Sequence, residues 1–165
     1  MEKNRRGSSL IEFIFLGIPV IFITMSIIEV SLAMWQFHSL SYTVDTATRY
    51  AVLHGRGCTQ NGNTCWITVG NVATVLTSQA PALDSSKLNV TLYTHASTTT
   101  CNPISTCLSN ATQFPNTTDN GLNLDIKIVA SYPVYNPIPM FWPGTAGTPG
   151  NVFTLYATSR QRILF

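Results

Sequence analysis

The most constraining stretch of this chain is an apolar run that begins almost at its start. Arg5-Arg6-Gly7-Ser8-Ser9 leads directly into Leu10–Ile28, nineteen residues of which only Glu12, Thr24 and Ser26 are polar. Wound as an α-helix at 1.5 Å per residue, nineteen residues reach about 28 Å, close to the roughly 30 Å hydrocarbon core of a bilayer. No small domain can bury so long a helix that is apolar all round, so the run predicts a membrane anchor. Glu12 is then the anomaly. A carboxylate at bilayer depth is unfavourable by about 2.5–3.5 kcal/mol on insertion scales, which makes it a functional candidate. The bland alternative is a side chain snorkelling to nearby headgroups. Lys3, Arg5 and Arg6 predict a cytoplasmic N-terminus, with the bulk of the chain outside.

The helical pattern outlasts the apolar run. Phe37, Leu40, Val44, Ala47 and Ala51 recur at spacings of three and four, and Gly55 and Gly57 end the pattern. One helix from about Leu10 to Leu53 is expected, with a membrane half and an amphipathic half that needs a domain packed on it. Pro19 and Gly17 fall within its membrane half, where a freed carbonyl can be satisfied by neighbours. Beyond it, Val69, Val72, Ala73 and Leu76 predict a short helix over Trp66–Gln79. Leu88, Val90 and Leu92 alternate with polar residues, as do Leu122, Leu124, Ile126 and Ile128, and Val152–Ile163 reads as a closing strand. Residues 94–121 read as a long loop. Tyr132–Gly150, with five prolines, reads as irregular. The predicted fold class is α+β: a long N-terminal helix, transmembrane in its first half, with a small antiparallel-sheet head and one short helix. The predicted organisation is a basic leader (1–7), the helix (8–54) and an extracytoplasmic head (55–165).

Charged residues are only 10% of the chain, against about 25% in ordinary soluble proteins. The formal net charge of +2 resides in the leader, since removing residues 1–7 leaves six basic and six acidic side chains. No basic patch on the head points to a nucleic acid partner. Cys58, Cys65, Cys101 and Cys107 form two local pairs in polar loops, which in an oxidising compartment read as disulfides. Cys58–Cys65 with Cys101–Cys107 is the simplest of three connectivities. A zinc site is the rival, although the spacings are not those of zinc knuckles. His38, His54 and His95 are isolated, and no nucleophile elbow, zincin or phosphate-loop motif occurs. No catalytic residue, metal or cofactor is expected.

The run Gly7-Ser8-Ser9-Leu10-Ile11-Glu12-Phe13 resembles the processing site of type IV pilins, cut by prepilin peptidase after the Gly, five residues before the Glu. More narrowly, Glu12-Phe13, Pro19, Glu29 and Thr48-Arg49-Tyr50-Ala51 resemble the TadE-like minor pilins, or pseudopilins, of tight-adherence (Flp) pili. Phe13, where major Flp pilins carry Tyr, favours a minor component. The resemblance implies cleavage between Gly7 and Ser8, and assembly roles for Glu12, Phe13, Pro19 and Glu29. It also implies membrane lipid, other pilin or pseudopilin subunits, prepilin peptidase and the pilus assembly platform as partners. The location implied is the inner membrane, single-pass, with the head periplasmic or in a pilus. On this reading the Ser8 amine freed by cleavage pairs with Glu12 of a neighbouring subunit.

Two rivals stand beside it. An envelope binding protein would either keep the apolar run as an uncleaved single-pass anchor or be secreted by an ordinary signal, for which Ser31-Leu32-Ala33 is a passable cleavage site. A tethered enzyme would place a pocket around Tyr135, Phe141 and Trp142.

Overall fold

The computed structural model describes residues 5–54, 65–135 and 152–163, with side chains from residue 11 onward and, in the last segment, from residue 153. Helix α1 runs unbroken over Arg5–Leu53, with Pro19 inside it. It begins five residues before the apolar run, and Gly7 and Ser8 lie in its first turns. The three hydroxyls in and just beyond the apolar run fold back onto the helix. Thr24 donates to the Val20 carbonyl (2.8 Å), Ser26 to Phe22 (2.9 Å) and Ser31 to Ile27 (2.7 Å). Such back-bonding satisfies a hydroxyl with no help from solvent, so these residues do not oppose burial in lipid.

The remaining elements are α2 (Val69–Ser78), β1 (Asn89–Tyr93), β2 (Thr98–Cys101), β3 (Asp125–Tyr135) and β4 (Val152–Arg162), with a 3-10 turn at Ile104–Cys107. The four strands form one antiparallel sheet in the order β2-β1-β3-β4. This is the α+β arrangement expected. The helices cover one sheet face. Alternate β3 residues Ile126, Ile128, Ala130, Tyr132 and Val134 turn toward them and are buried. From α1 come Leu40, Val44, Ala47 and Ala51, four of the five residues of the stripe read from the sequence, each 1% exposed or less, whereas Phe37, the first of the stripe, is exposed. The two alanines let the sheet approach the helix closely. Polar contacts then fix the register of helix on sheet. Asp45 Oδ1 accepts from the Ser159 hydroxyl (3.2 Å) and from Gln161 Nε2 (3.1 Å), while its Oδ2 pairs with Arg49 (2.9 Å). The buried Thr43 hydroxyl donates to the Gln79 carbonyl at the end of α2 (3.0 Å).

Several sequence boundaries move. α2 starts at Val69 rather than Trp66, because Thr68 caps it in a reciprocal box: its hydroxyl accepts from Asn71 N–H (3.2 Å), and Asn71 Oδ1 accepts from Thr68 N–H (2.9 Å). β3 starts at Asp125 rather than Leu122. Asn123 takes a left-handed conformation (φ 65°) that breaks the alternation, and Leu122 is left exposed. β3 then continues through Pro133 into the stretch read as irregular. Pro133 stands two residues beyond the last β1 pair, Asn89↔Ser131, where β4 is the only neighbouring strand among the described residues. A strand paired on one side tolerates a residue that has no N–H.

The stretch 94–121 is not a plain loop. It contains β2 and the 3-10 turn, closed by the Cys101–Cys107 disulfide. Its second half folds around Asp119, which is 2% exposed. That carboxylate accepts from the Thr94 hydroxyl, from Ala96 N–H (3.1 Å) and from Asn116 Nδ2 (3.3 Å).

Gly70 shows how closely this layer packs. Its N–H donates to the Asn110 carbonyl (2.9 Å), and a Cβ there would sit 2.6 Å from the Leu108 carbonyl oxygen and 3.1 Å from that of Asn110. Both neighbours are backbone and cannot swing away. Gly70→Ala is expected to destabilise the head by about 2–3 kcal/mol, the upper part of the overpacking range, read as a lower denaturant midpoint with unchanged slope.

Candidate functional site: the exposed half of the long helix

The residues singled out in the sequence lie mainly on the part of α1 that the head does not cover. From Ile11 onward, Ala33 is the first residue of the helix to be buried against the head. Before it, from Ile11 onward, the apolar side chains point outward: Phe13 is 77% exposed, Leu16 72% and Ile27 62%. Leaving a large apolar side chain in water forgoes about 1.5–3 kcal/mol each, so this surface calls for lipid or partner helices. Length and composition agree, since the helix is long and apolar enough to cross a membrane (mean hydropathy 2.4 in its best window) and that window has no buried residues. The helix therefore fits a single-pass anchor.

Glu12 lies on this surface, exposed, and has no ion-pair partner among the described residues. Phe13 beside it and Pro19 two turns on are also exposed. Pro19 has no N–H to give the Phe15 carbonyl, so one backbone acceptor is left open in the apolar half. These three residues form an outward surface and make no contact with the head. Gly7 and Ser8 precede Glu12 on the same helix; nothing is assigned to their side chains.

Glu29 sits elsewhere. It is half-buried and lines a cavity of about 260 Å³ where α1 meets the end of the head, together with Gln36, Lys87, Tyr132, Tyr135 and Phe153. Sequence reasoning grouped Glu29 with Glu12 and did not anticipate this cavity. It forms only because the β3–β4 end of the sheet lies against α1, a non-local contact without a sequence signature.

The cysteines divide in the same way. Cys101–Cys107 is a disulfide with Cα atoms 5.7 Å apart, as the simplest connectivity has it. Cys65 is disulfide-bonded, and Cys58 lies outside the described residues. His54 directly follows α1 with Nδ1 2.6 Å from the Tyr50 carbonyl, which suits a helix C-terminal group. Of the aromatic pocket imagined for a tethered enzyme, Phe141 and Trp142 lie outside the described residues, and Tyr135 lines the cavity at Glu29. No cluster of three or more His, Cys, Asp or Glu side chains forms among the described residues.

At the other end of the sheet Asp125 pairs with Arg160 (2.6 Å) and Arg162 (3.3 Å). The Arg160 hydrogen bond, more than the opposing desolvation, holds its carboxyl below the usual carboxylate range, and both guanidinium charges add to the effect. These are surface pairs on exposed arginines and leave a cationic excess at that end.

No curated protein and no solved structure matches the chain. The family model described as TadE-like protein matches residues 7–49, which fall wholly within α1 and leave the sheet outside the match. The exposed helix, from the Gly7 junction to the Arg49 that pairs with Asp45, is thus the part of the chain that is similar to TadE-like proteins.

Proposed function

We propose that this chain is a minor pilin or pseudopilin. It is inserted through α1 into the inner membrane with its N-terminus cytoplasmic, cut by prepilin peptidase between Gly7 and Ser8, and assembled with other pilin subunits through the exposed half of α1. The observation that carries this reading is the combination on one helix of a TadE-like match, an unpartnered apolar surface and an exposed Glu12 five residues beyond Gly7. In the assembly Glu12 pairs with the Ser8 amine of a neighbour. Phe13 and Pro19 belong to the contact surface, and the pilus assembly platform draws the subunit from lipid. The chain carries no catalysis of its own and needs no cofactor; its role is structural.

The unbroken course of α1 through Ala33 favours this over an ordinary secretion signal. Cutting after Ala33 would sever a helix at a residue already packed on the head, and would remove Glu29 and the cavity it lines. Co-expression with prepilin peptidase tests the proposal through intact mass. The expected result is loss of residues 1–7, abolished when the peptidase is absent. A mass still beginning at Met1 in both cells would overturn it.

A further inference from the structure

The cavity at Glu29 lies where the bilayer surface must fall. With the hydrocarbon core starting near Ile11, twenty helical residues span about 30 Å and bring Val30 to its far edge. Glu29, Leu32, Ala33 and Gln36 are therefore at headgroup level, and the cavity they line lies at the depth of the lipid headgroups around α1. At about 260 Å³ it is smaller than a site for a drug-sized ligand and of a size for a headgroup.

Its chemistry is asymmetric. The α1 wall offers acceptors. The Glu29 carboxylate has no ion-pair partner among the described residues, and Gln36 Oε1 is buried without a hydrogen bond. A buried acceptor left unpaired costs about 1–3 kcal/mol, so Gln36 Oε1 calls for a donor, and the half-buried Glu29 carboxylate on the same wall favours a cationic one. The head wall offers the opposite charge. The Lys87 ammonium stands 4.7 Å from the Tyr135 ring centroid and is held only loosely by Asp84, at 3.9 Å. Tyr132 beneath is already engaged, its hydroxyl accepting from Asp84 N–H (3.3 Å). A ligand that satisfies both walls carries a primary ammonium at one end and a phosphate at the other. A quaternary ammonium supplies no N–H to Gln36 Oε1, and a glycerol headgroup supplies no cation to Glu29.

We propose that this cavity binds the headgroup of an aminophospholipid of the phosphatidylethanolamine type. Its ammonium donates to Glu29 and Gln36, its phosphate accepts from Lys87, and its acyl chains lie along the exposed apolar surface of α1 beside Leu32. Lipid is the occupant because the cavity lies at the polar–apolar boundary of a spanning helix. The site requires only that α1 be inserted, and stands whether or not the chain is assembled into a pilus.

The test is lipid retention by the full-length chain, measured by native mass spectrometry after exposure to equimolar phosphatidylethanolamine, phosphatidylcholine and phosphatidylglycerol of matched acyl chains. Retention of the ethanolamine lipid is expected to exceed that of either other lipid about tenfold, the worth of one hydrogen bond to a charged group. Glu29→Gln and Gln36→Leu should each remove that preference, and Lys87→Met should weaken retention, with unchanged thermal unfolding of the head. Equal retention of the three lipids, or a preference unaffected by Glu29→Gln, would overturn the proposal. So would variants that shift self-association and leave lipid retention alone, which would assign the cavity to a second copy of the chain.

Discussion

Glu12→Ala is expected to insert into membranes at least as well as the wild-type chain and to be nearly absent from the assembled structure. The two effects have opposite signs for one reason. In lipid the carboxylate is exposed on α1 with no partner among the described residues, so removing it relieves a cost that is about 2.5–3.5 kcal/mol at the bilayer centre and smaller at Glu12, close to the hydrocarbon edge. On the proposed function, the same carboxylate answers the Ser8 amine of a neighbour in the assembly. Deleting one member of a buried pair leaves the other charge uncompensated, at about 3–5 kcal/mol, or on the order of a hundredfold or more in incorporation. Alkaline extraction measures the first effect, and immunoblotting of sheared surface fibres against the membrane fraction measures the second. Normal incorporation of the variant would end the pairing idea. Loss of insertion would mean that Glu12 serves the anchor rather than the assembly.

The second large effect concerns the head. Asp119→Ala removes the acceptor shared by the Thr94 hydroxyl, Ala96 N–H and Asn116 Nδ2, and leaves those donors in a protected loop. Hydrogen bonds to a charged group are worth about 1.5–3 kcal/mol each before compensation by water, so a net loss of about 3 kcal/mol is expected. For a head of this size that lowers Tm by roughly 10 °C. The pH dependence has a definite sign. Burial pushes the Asp119 carboxyl up, but the bonds from Thr94 and Ala96, the nearby His95 and the bond from Asn116 outweigh it and leave the pKa lowered. A carboxyl whose folded pKa lies below its unfolded value of about 3.9 contributes stability above that value, and loses it as pH falls through the folded pKa. The Tm gap between wild type and Asp119→Ala should therefore be full at neutral pH and narrow below about pH 4. Asp84 and Asp125 are held down as well, chiefly by bonds from Ser86 and Arg160 respectively, but they titrate alike in both proteins and cancel in the comparison. A gap independent of pH would show that Asp119 acts through packing and not through its charge.

What could be read in advance follows a physical division. α1, α2, β1 and β4 each present one apolar face at one period, so Leu40–Val44–Ala47–Ala51 and Val90–Leu92 disclosed both type and orientation. β2 did not disclose itself. Thr98, Thr99 and Thr100 are β-branched and suited to a strand, but no apolar alternation marks them. The order of residues 94–121 depends on contacts distant in sequence, from Asp119 back to Thr94 and Ala96. One local sign was present. Asn116 Oδ1 accepts from Thr118 N–H (3.0 Å) and Asp119 N–H (2.9 Å), an Asx turn that Asn-Thr-Thr-Asp favours. Pro133 misled because its effect depends on whether a strand is paired on both sides, which residue identity does not carry.

The two halves of α1 explain how the parts work together. The half from Ala33 to Leu53 is held on the sheet by Leu40, Val44, Ala47 and Ala51 and by Asp45, and so belongs to the core of the head. The half before it, left bare, is the surface through which an assembly would hold the subunit. The measurement that tests this most directly is the N-terminal residue of the chain recovered in complex with other pilin subunits, read by mass spectrometry after crosslinking in intact cells. The account predicts Ser8. Complexes built from chains that still begin at Met1 would contradict it.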